Sequence, residues 1–374
     1  MNFDLTDEQR LLQESVARFV ADNYDLDKRN ALVKAEPGFS AAHWQQFADL
    51  GWLAIPFAED DGGIGGDATD VMLLVEQFGK GLVLEPFLAN VVLAGGAIRR
   101  AATAAQRAAW LPGLIDGSCH YALAYAEPQS RYDLADVGTS ARLDGDSYVL
   151  SGTKTLVLNG GSANRLVVAA RTRGGRMDHD GISLFLVDAK AEGVKVDSYP
   201  MVDGLRAAEV VLTDVRVPAG DLLGDAHGAL PVLEAVIRDG ILAVAAEAVG
   251  AMEVLVQDTV SYTQQRQQFG HPLSGFQVLQ HRMVDMLVEQ ELTKSLLYRA
   301  TMETAQGMPD AARTVHALKH MVGTAGTFVG ENAVQLHGGM GMTEELRVGH
   351  YFKRLTVINL MFGDADFHLE RFTA

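Results

Sequence analysis

The sequence predicts an α+β chain, mainly helical, with an N-terminal helical domain, a middle antiparallel β domain and a C-terminal four-helix bundle. Three observations lead there. Helical periodicity dominates to about Gly117. Between about Cys119 and Asp225 it gives way to short apolar runs separated by turn residues. From about His227 it returns in longer stretches. These changes of pattern set the expected domains at residues 1–118, 119–225 and 226–374.

The first domain opens on a helix start. Thr6 is followed three residues later by Gln9, the spacing of a capping box, and Leu11, Leu12, Val16 and Phe19 then recur at helical intervals. "DDGGIGGDATD" (Asp60–Asp70) leads into a second helical pattern at Val71, Leu74, Val75 and Phe78. A glycine-rich loop can cradle a phosphate. This one follows no strand and carries no Lys-Ser/Thr pair, so a flexible connection is the better reading.

In the middle domain "ARLDGDSYVLSG" predicts a hairpin around Asp144-Gly145. Arg165–Arg171, Ile182–Asp188 and Ala208–Val217 follow as strands. No helix-length pattern interrupts them, which favours an antiparallel sheet over βαβ units, and no strand–GxGxxG–helix unit offers a nicotinamide dinucleotide site. In the last domain three apolar stripes mark helices: Ile241, Val244, Ala245, Ala248, Met252 and Leu255; Phe276, Leu279, Met283, Met286 and Leu287; Val315, Leu318, Met321, Val322 and Val329.

The formal net charge of −17 argues against nucleic acid and anionic membranes as partners, and means that an anionic ligand must be held by local groups. The single cysteine, Cys119, cannot form an internal disulfide, which suits a reducing cytoplasm. The N-terminus carries acidic residues at once and reads as neither signal nor transit peptide, and no uninterrupted apolar run is long enough for a membrane span. His316 and His320 are four apart on a helix but lack an acidic third ligand, so no metal is expected.

Three stretches carry chemistry in combination: "AYAEPQSRYD" (Ala124–Asp133), "RQQFG" (Arg266–Gly270) and "QLHGGMGMTEE" (Gln335–Glu345). In this order and at these separations they resemble a Thr-Glu-Pro loop, an Arg-x-x-Phe-Gly turn and a Gln-x-x-Gly-Gly-x-Gly motif. Across essentially its whole length the chain resembles the acyl-CoA dehydrogenase family. The resemblance implies FAD as cofactor, α,β-dehydrogenation of an acyl-CoA thioester to the trans-2-enoyl-CoA, and an electron-transfer flavoprotein as acceptor. It implies that Arg266, Phe269 and Gln277 reach the adenine and pyrophosphate end of a neighbouring subunit's flavin, so the chain is at least a dimer. Gln335, Gly338 and Gly339 would let backbone approach the cofactor, and Ala126, Leu158 and Asp364 stand at flavin-contacting positions. A narrower likeness, carried by "EPQSRYDLADV", "DGLRAAEV", "GFQVLQH" and "FGDADFH", points to a branch acting on dicarboxylic, pimeloyl-type acyl-CoA. There Arg131 and Arg206 are candidates to hold the distal carboxylate, against a bland reading as surface charge.

The sequence departs from the family where it matters most. The family's usual catalytic glutamate falls on Phe362, which accepts no proton and would instead line the acyl pocket or the flavin edge. A second branch's glutamate position falls on Gly240, also part of the expected substrate pocket. The carboxylate beside it, Asp239, is the first choice for the base if it lies near a frayed helix start. Asp364 is second and Glu247, two turns on, third. Ala126 and Leu158 also replace residues whose hydroxyls face the flavin in the family. Two roles follow: an active dehydrogenase, as a homo-oligomer or a heterotetramer with a larger homologous subunit, or a non-catalytic partner that completes the flavin site of such a subunit. Oxygenase or desulfinase chemistry on the same fold is a third reading.

Overall fold

The computed structural model describes residues 4–374. Thr6 accepts from the Gln9 amide at 3.2 Å while the Gln9 side chain takes the Thr6 amide at 3.1 Å, so α1 (Asp7–Asn23) starts at the expected box. After α2 (Leu26–Lys34) and α3 (Ala41–Asp49) the chain reaches α4 (Ala68–Gly81). Contacts divide the structure into two interleaved units. One holds the residues up to Ala31, Asp67–Val83 and Ile241–Ala374; the other holds Leu32–Gly66 and Leu84–Gly240.

The first unit is helical. It contains α1, α4 and the C-terminal helices: α7 (Leu230–Gln265) from Ile241 onward, α8 (Gln277–Ala305), α9 (Ala311–His337), α10 (Arg347–Leu360) and the short α11 (Ala365–Thr373). The first apolar stripe is buried throughout, from Ile241 to Leu255. Gly79 of α4 and Gly250 of α7 let the two helices meet backbone to backbone, since a Cβ at either would overlap a main-chain carbonyl of the other helix. The second stripe holds only in part. Met283 and Met286 are buried, but Leu287 is exposed, with Val278, Val284, Val288 and Leu292, so α8 presents an apolar outer face.

The second unit is built on an eight-stranded sheet: β1 (Tyr121–Ala124), β2 (Ser140–Asp144), β3 (Ser147–Leu158), β4 (Arg165–Arg171), β5 (Ile182–Asp188), β6 (Val194–Pro200), β7 (Arg206–Pro218) and β8 (Leu222–Leu223). The order is β6-β7-β3-β2-β4-β5-β8, with β1 paired to β4. The β2–β3 hairpin turns where expected, and β4 and β5 match their expected ends. The all-antiparallel expectation needs correction. β1 runs parallel to β4, from Tyr121 opposite Arg165 to Ala124 opposite Val168, because the chain inserts the β2–β3 hairpin before it returns. Leu150, Leu166, Val168, Phe185, Val210 and Leu212 pack as the core of this sheet. In the same unit a π-helical segment, Leu88–Gly95, runs into α5 (Gly96–Ala101), and α6 (Ala104–Ile115) follows. Buried Asn90 in the π segment accepts the Tyr121 amide at 2.6 Å and so ties the helices to β1. Among the described residues no helix is long and apolar enough to cross a membrane.

Candidate active site

The turn between α10 and α11 is closely held. Phe362 has φ 59° and Gly363 φ 117°. Only glycine fits at the second position, where a side chain would run into Phe367 and His368. Asp364 caps α11, its Oδ1 accepting from the Phe367 amide at 2.9 Å. Two side chains clamp the turn's carbonyls. Lys319 Nζ donates to Gly363 O at 2.6 Å and Asn359 O at 2.9 Å, and burial pushes its ammonium down to about 7. His368 Nε2 lies 3.0 Å from Phe362 O, and burial, then the nearby Lys319, push its imidazole down to about 3. A carbonyl only accepts, so the neutral ring carries its proton on Nε2. Its Nδ1 then accepts from His316 Nδ1 at 2.8 Å. The turn is thus built and buttressed, with a half-buried phenylalanine at the position read as the base.

The three carboxylates considered as substitutes are all engaged. Asp239 is not near a frayed helix start: α7 begins at Leu230, so Asp239 and the buried Gly240 lie well inside it, and the rotation of about 100° between neighbours is not absorbed by fraying. Asp239 Oδ2 accepts from Arg99 at 2.9 Å and Arg100 at 2.6 Å. Asp364 is occupied as a helix cap. Glu247 forms a bidentate pair with buried Arg354, Nε to Oε1 and Nη2 to Oε2, both at 2.6 Å.

On the sheet, the loop after β1 is fixed by a buried ion pair, Lys154 Nζ to Glu127 Oε1 at 2.6 Å. Burial alone would raise the Glu127 carboxyl, but Lys154 and hydrogen bonds from Thr139 and Gln129 hold it at about 2. Ala126 O accepts the Thr155 amide at 2.9 Å, which joins this loop to β3. A register shift between Lys154 and Val157, with Leu156 at φ 52°, then re-aims the strand end that carries Leu158. Arg206 is paired with Glu36 at 2.6 Å, and its stem rests over Gly38. Arg131 is exposed, at φ 46°.

After α7, β9 (Gln267–Gln268) and β10 (His271–Pro272) form a small hairpin. Its two-residue turn is Phe269-Gly270, both at positive φ, 54° and 81°. The Phe269 ring stands at the tip, 89% exposed. Arg266 precedes the hairpin and Gln277 opens α8; both are exposed, and neither side chain has a partner among the described residues. At the end of α9 Gln335 is exposed, and a Cβ at Gly338 or Gly339 would meet nothing. The Tyr262 and His337 rings stack at 4.3 Å, which brings the start of the hairpin beside the Gly-Gly turn. Exposed donors, a flat ring and open backbone are what a dinucleotide cofactor needs, so these residues fit FAD.

Three family models span nearly the whole chain: acyl-CoA dehydrogenase, N-terminal domain at residues 6–118, middle domain at 122–215, and C-terminal domain at 230–373. The chain belongs to the acyl-CoA dehydrogenase family. This is a family of flavin-dependent oxidoreductases acting on acyl-CoA. A probable acyl-CoA dehydrogenase of Bacillus subtilis is 29% identical over 98% of this chain and 97% of its own length. Among solved structures, butyryl-CoA dehydrogenase from Megasphaera elsdenii is similar with TM-score 0.92 and 26% identity, covering 100% of this chain and 99% of that one. The ChsE4-ChsE5 complex from Mycobacterium tuberculosis gives TM-score 0.90 and 25% identity, covering 100% and 98%.

Sequence reasoning missed Arg99 and Arg100, the partners of Asp239, and the clamp by Lys319 and His368. Lys319 did leave a signal. A lysine set between Leu318 and Val322 in an apolar stripe must find carbonyl or carboxylate partners.

Proposed function

We propose that this chain takes part in FAD-dependent α,β-dehydrogenation of an acyl-CoA as the base-less member of a heteromer, beside a larger homologous subunit. The observation that carries this reading is the turn at Phe362. Its scaffold is complete while its reactive carboxylate is missing, and Asp239, Asp364 and Glu247 are each committed elsewhere. FAD, when bound, supplies the hydride-accepting chemistry. Arg266 and Gln277 would donate to the pyrophosphate and Phe269 would cover a flat face. Gln335, Gly338 and Gly339 would offer open backbone, while Ala126 and Leu158 would line the flavin without hydroxyls. The α-proton would leave to the homologous subunit. The apolar outer face of α8 and the exposed hairpin tip supply surface for that subunit. The ChsE4-ChsE5 complex, a structural relative, is itself a complex of two named chains.

The finer substrate reading is a dicarboxylic acyl-CoA like that of pimeloyl-CoA dehydrogenase, whose small subunit the chain resembles, with an electron-transfer flavoprotein as acceptor. Between the two candidate arginines we favour Arg131 for a distal carboxylate, because Arg206 already has Glu36. Flavin absorbance tests the proposal. The purified chain alone should hold little FAD and show no bleaching with pimeloyl-CoA or straight-chain acyl-CoA, and flavin should appear on co-purification with a larger homologous subunit. Stoichiometric FAD in the lone chain, bleached by acyl-CoA, would overturn it.

A further inference from the structure

We propose that a cavity walled by Arg99, Arg100 and Arg107 is a binding site for a phosphate-type oxyanion, separate from the residues read as holding the flavin. The cavity measures about 590 Å³ and lies within the sheet-containing unit, between the last turn of α5, the first turn of α6 and the loop around Gly65 and Gly66. That loop is the glycine-rich stretch that sequence alone reads as a flexible connection. It is a folded wall instead: the Gly65 amide donates to Phe57 O at 2.7 Å and the Gly66 amide to Ile55 O at 2.8 Å. Those amides are spent, so an anion here takes its contacts from the guanidinium groups.

The arginines are fixed by part of their donor sets and keep the rest. Arg99 uses Nη1 for Pro56 O at 2.7 Å and Nη2 for Asp239 at 2.9 Å. Arg100 uses Nη1 for Gly96 O at 3.2 Å and Nη2 for Asp239 at 2.6 Å. Arg107 holds both oxygens of Asp61 through Nε, at 2.9 and 3.1 Å, and Ala102 O through Nη1 at 2.9 Å. Nε of Arg99, Nε of Arg100 and Nη2 of Arg107 have no protein partner among the described residues. All three side chains are between a quarter and a third exposed.

Asp239 does not line the cavity, whereas the three arginines and Asp61 do. Set against Asp61 and Asp239, the two carboxylates that pair with them, the three guanidinium groups leave one positive charge over, in a chain of net charge −17 where an anion depends on such local charge. Burial, then the neighbouring Arg100, weaken the hold of Arg99 on its proton, and an anion between them would relieve that repulsion. Donors from three separate guanidinium groups suit a tetrahedral oxyanion. One arginine fork already satisfies a planar carboxylate. The volume admits more than a bare ion, so the phosphate could be free or carried by a nucleotide.

The test uses the purified chain without acyl-CoA, so its outcome is independent of the dehydrogenase proposal. Inorganic phosphate is titrated against chloride at matched ionic strength, with the Tm and the 31P line width followed. The expected result is a saturable rise in Tm with phosphate beyond that with chloride. Arg100→Gln and Arg107→Gln should each weaken phosphate binding about tenfold. Arg100→Lys, which keeps the charge beside Asp239, serves if a glutamine variant fails to fold; it should fall between wild type and Arg100→Gln. 3′-Phosphoadenosine compared with inorganic phosphate identifies the source, with adenosine as the control for binding through the nucleoside alone. Binding of the nucleotide tighter than phosphate supports a nucleotide-borne group, and equal binding supports the free ion. Equal effects of phosphate and chloride, or unchanged phosphate binding in the variants, would overturn the site.

Discussion

Asp239 and Glu247 look alike in sequence, as acids spaced along one helical pattern, and the fold gives them different work. Asp239 counters two guanidinium groups and keeps 17% of its side chain exposed. Glu247 lies against an arginine that is only 3% exposed. Removing the charge should therefore cost unequal amounts. Glu247→Gln deprives a buried guanidinium of its carboxylate and should destabilise by about 3–5 kcal/mol. Asp239→Asn should cost about 1–2 kcal/mol and leave flavin reduction in a reconstituted heteromer unchanged. Urea denaturation reads the first two numbers and stopped-flow absorbance the third. A collapse of reduction in Asp239→Asn would return that residue to the role of base. The sequence pointed to Asp239 because it adjoins Gly240. It could not show Arg99 and Arg100, about 140 residues earlier, because pairing across that distance leaves no local trace.

At the scale of elements, local rules read well and partner choice did not. The capping box at Thr6, the β2–β3 hairpin, and strands β4 and β5 follow from cap, turn and apolar pattern, all of which act over a few residues. β6 (Val194–Pro200) escaped notice because its exposed, charged positions blunt the apolar run, and the β1–β4 pairing escaped because strand periodicity is silent on direction. The π-helical segment also had no signature in the apolar spacing. The α10–α11 turn makes a prediction at this scale. His368 is held at about 3 in the fold against an ordinary 6.5, so the unfolded chain binds more protons between those values. Its contribution is full above pH 6.5 and is lost as pH falls toward 3. Hydrogen exchange should show residues 359–373 losing protection below pH 6.5 ahead of the sheet. His368→Gln should flatten that dependence.

At the scale of the whole molecule, family membership and the order of helical, β and helical regions were legible because several weak motifs occur in one order along the full length. The division into units was not, because α1 and α4 belong with helices that come hundreds of residues later. That interleaving has a consequence in time. On a ribosome, Gly240 completes every segment of the sheet-containing unit. The helical unit must wait for the stretch from Ile241 to Ala374, a delay on the order of ten seconds at ordinary elongation rates. During that interval α1 and α4 have been made but lack the backbone surface that Gly250 presents to Gly79. Chains stalled soon after residue 280, once Gly240 has cleared the exit tunnel, should resist a protease across 84–240 while being cut within 7–23 and 68–81. Equal protection of both regions would show that the early helices find shelter before their partners exist. If the early helices are the ones cut, synthesis order sets how long their apolar faces stay uncovered.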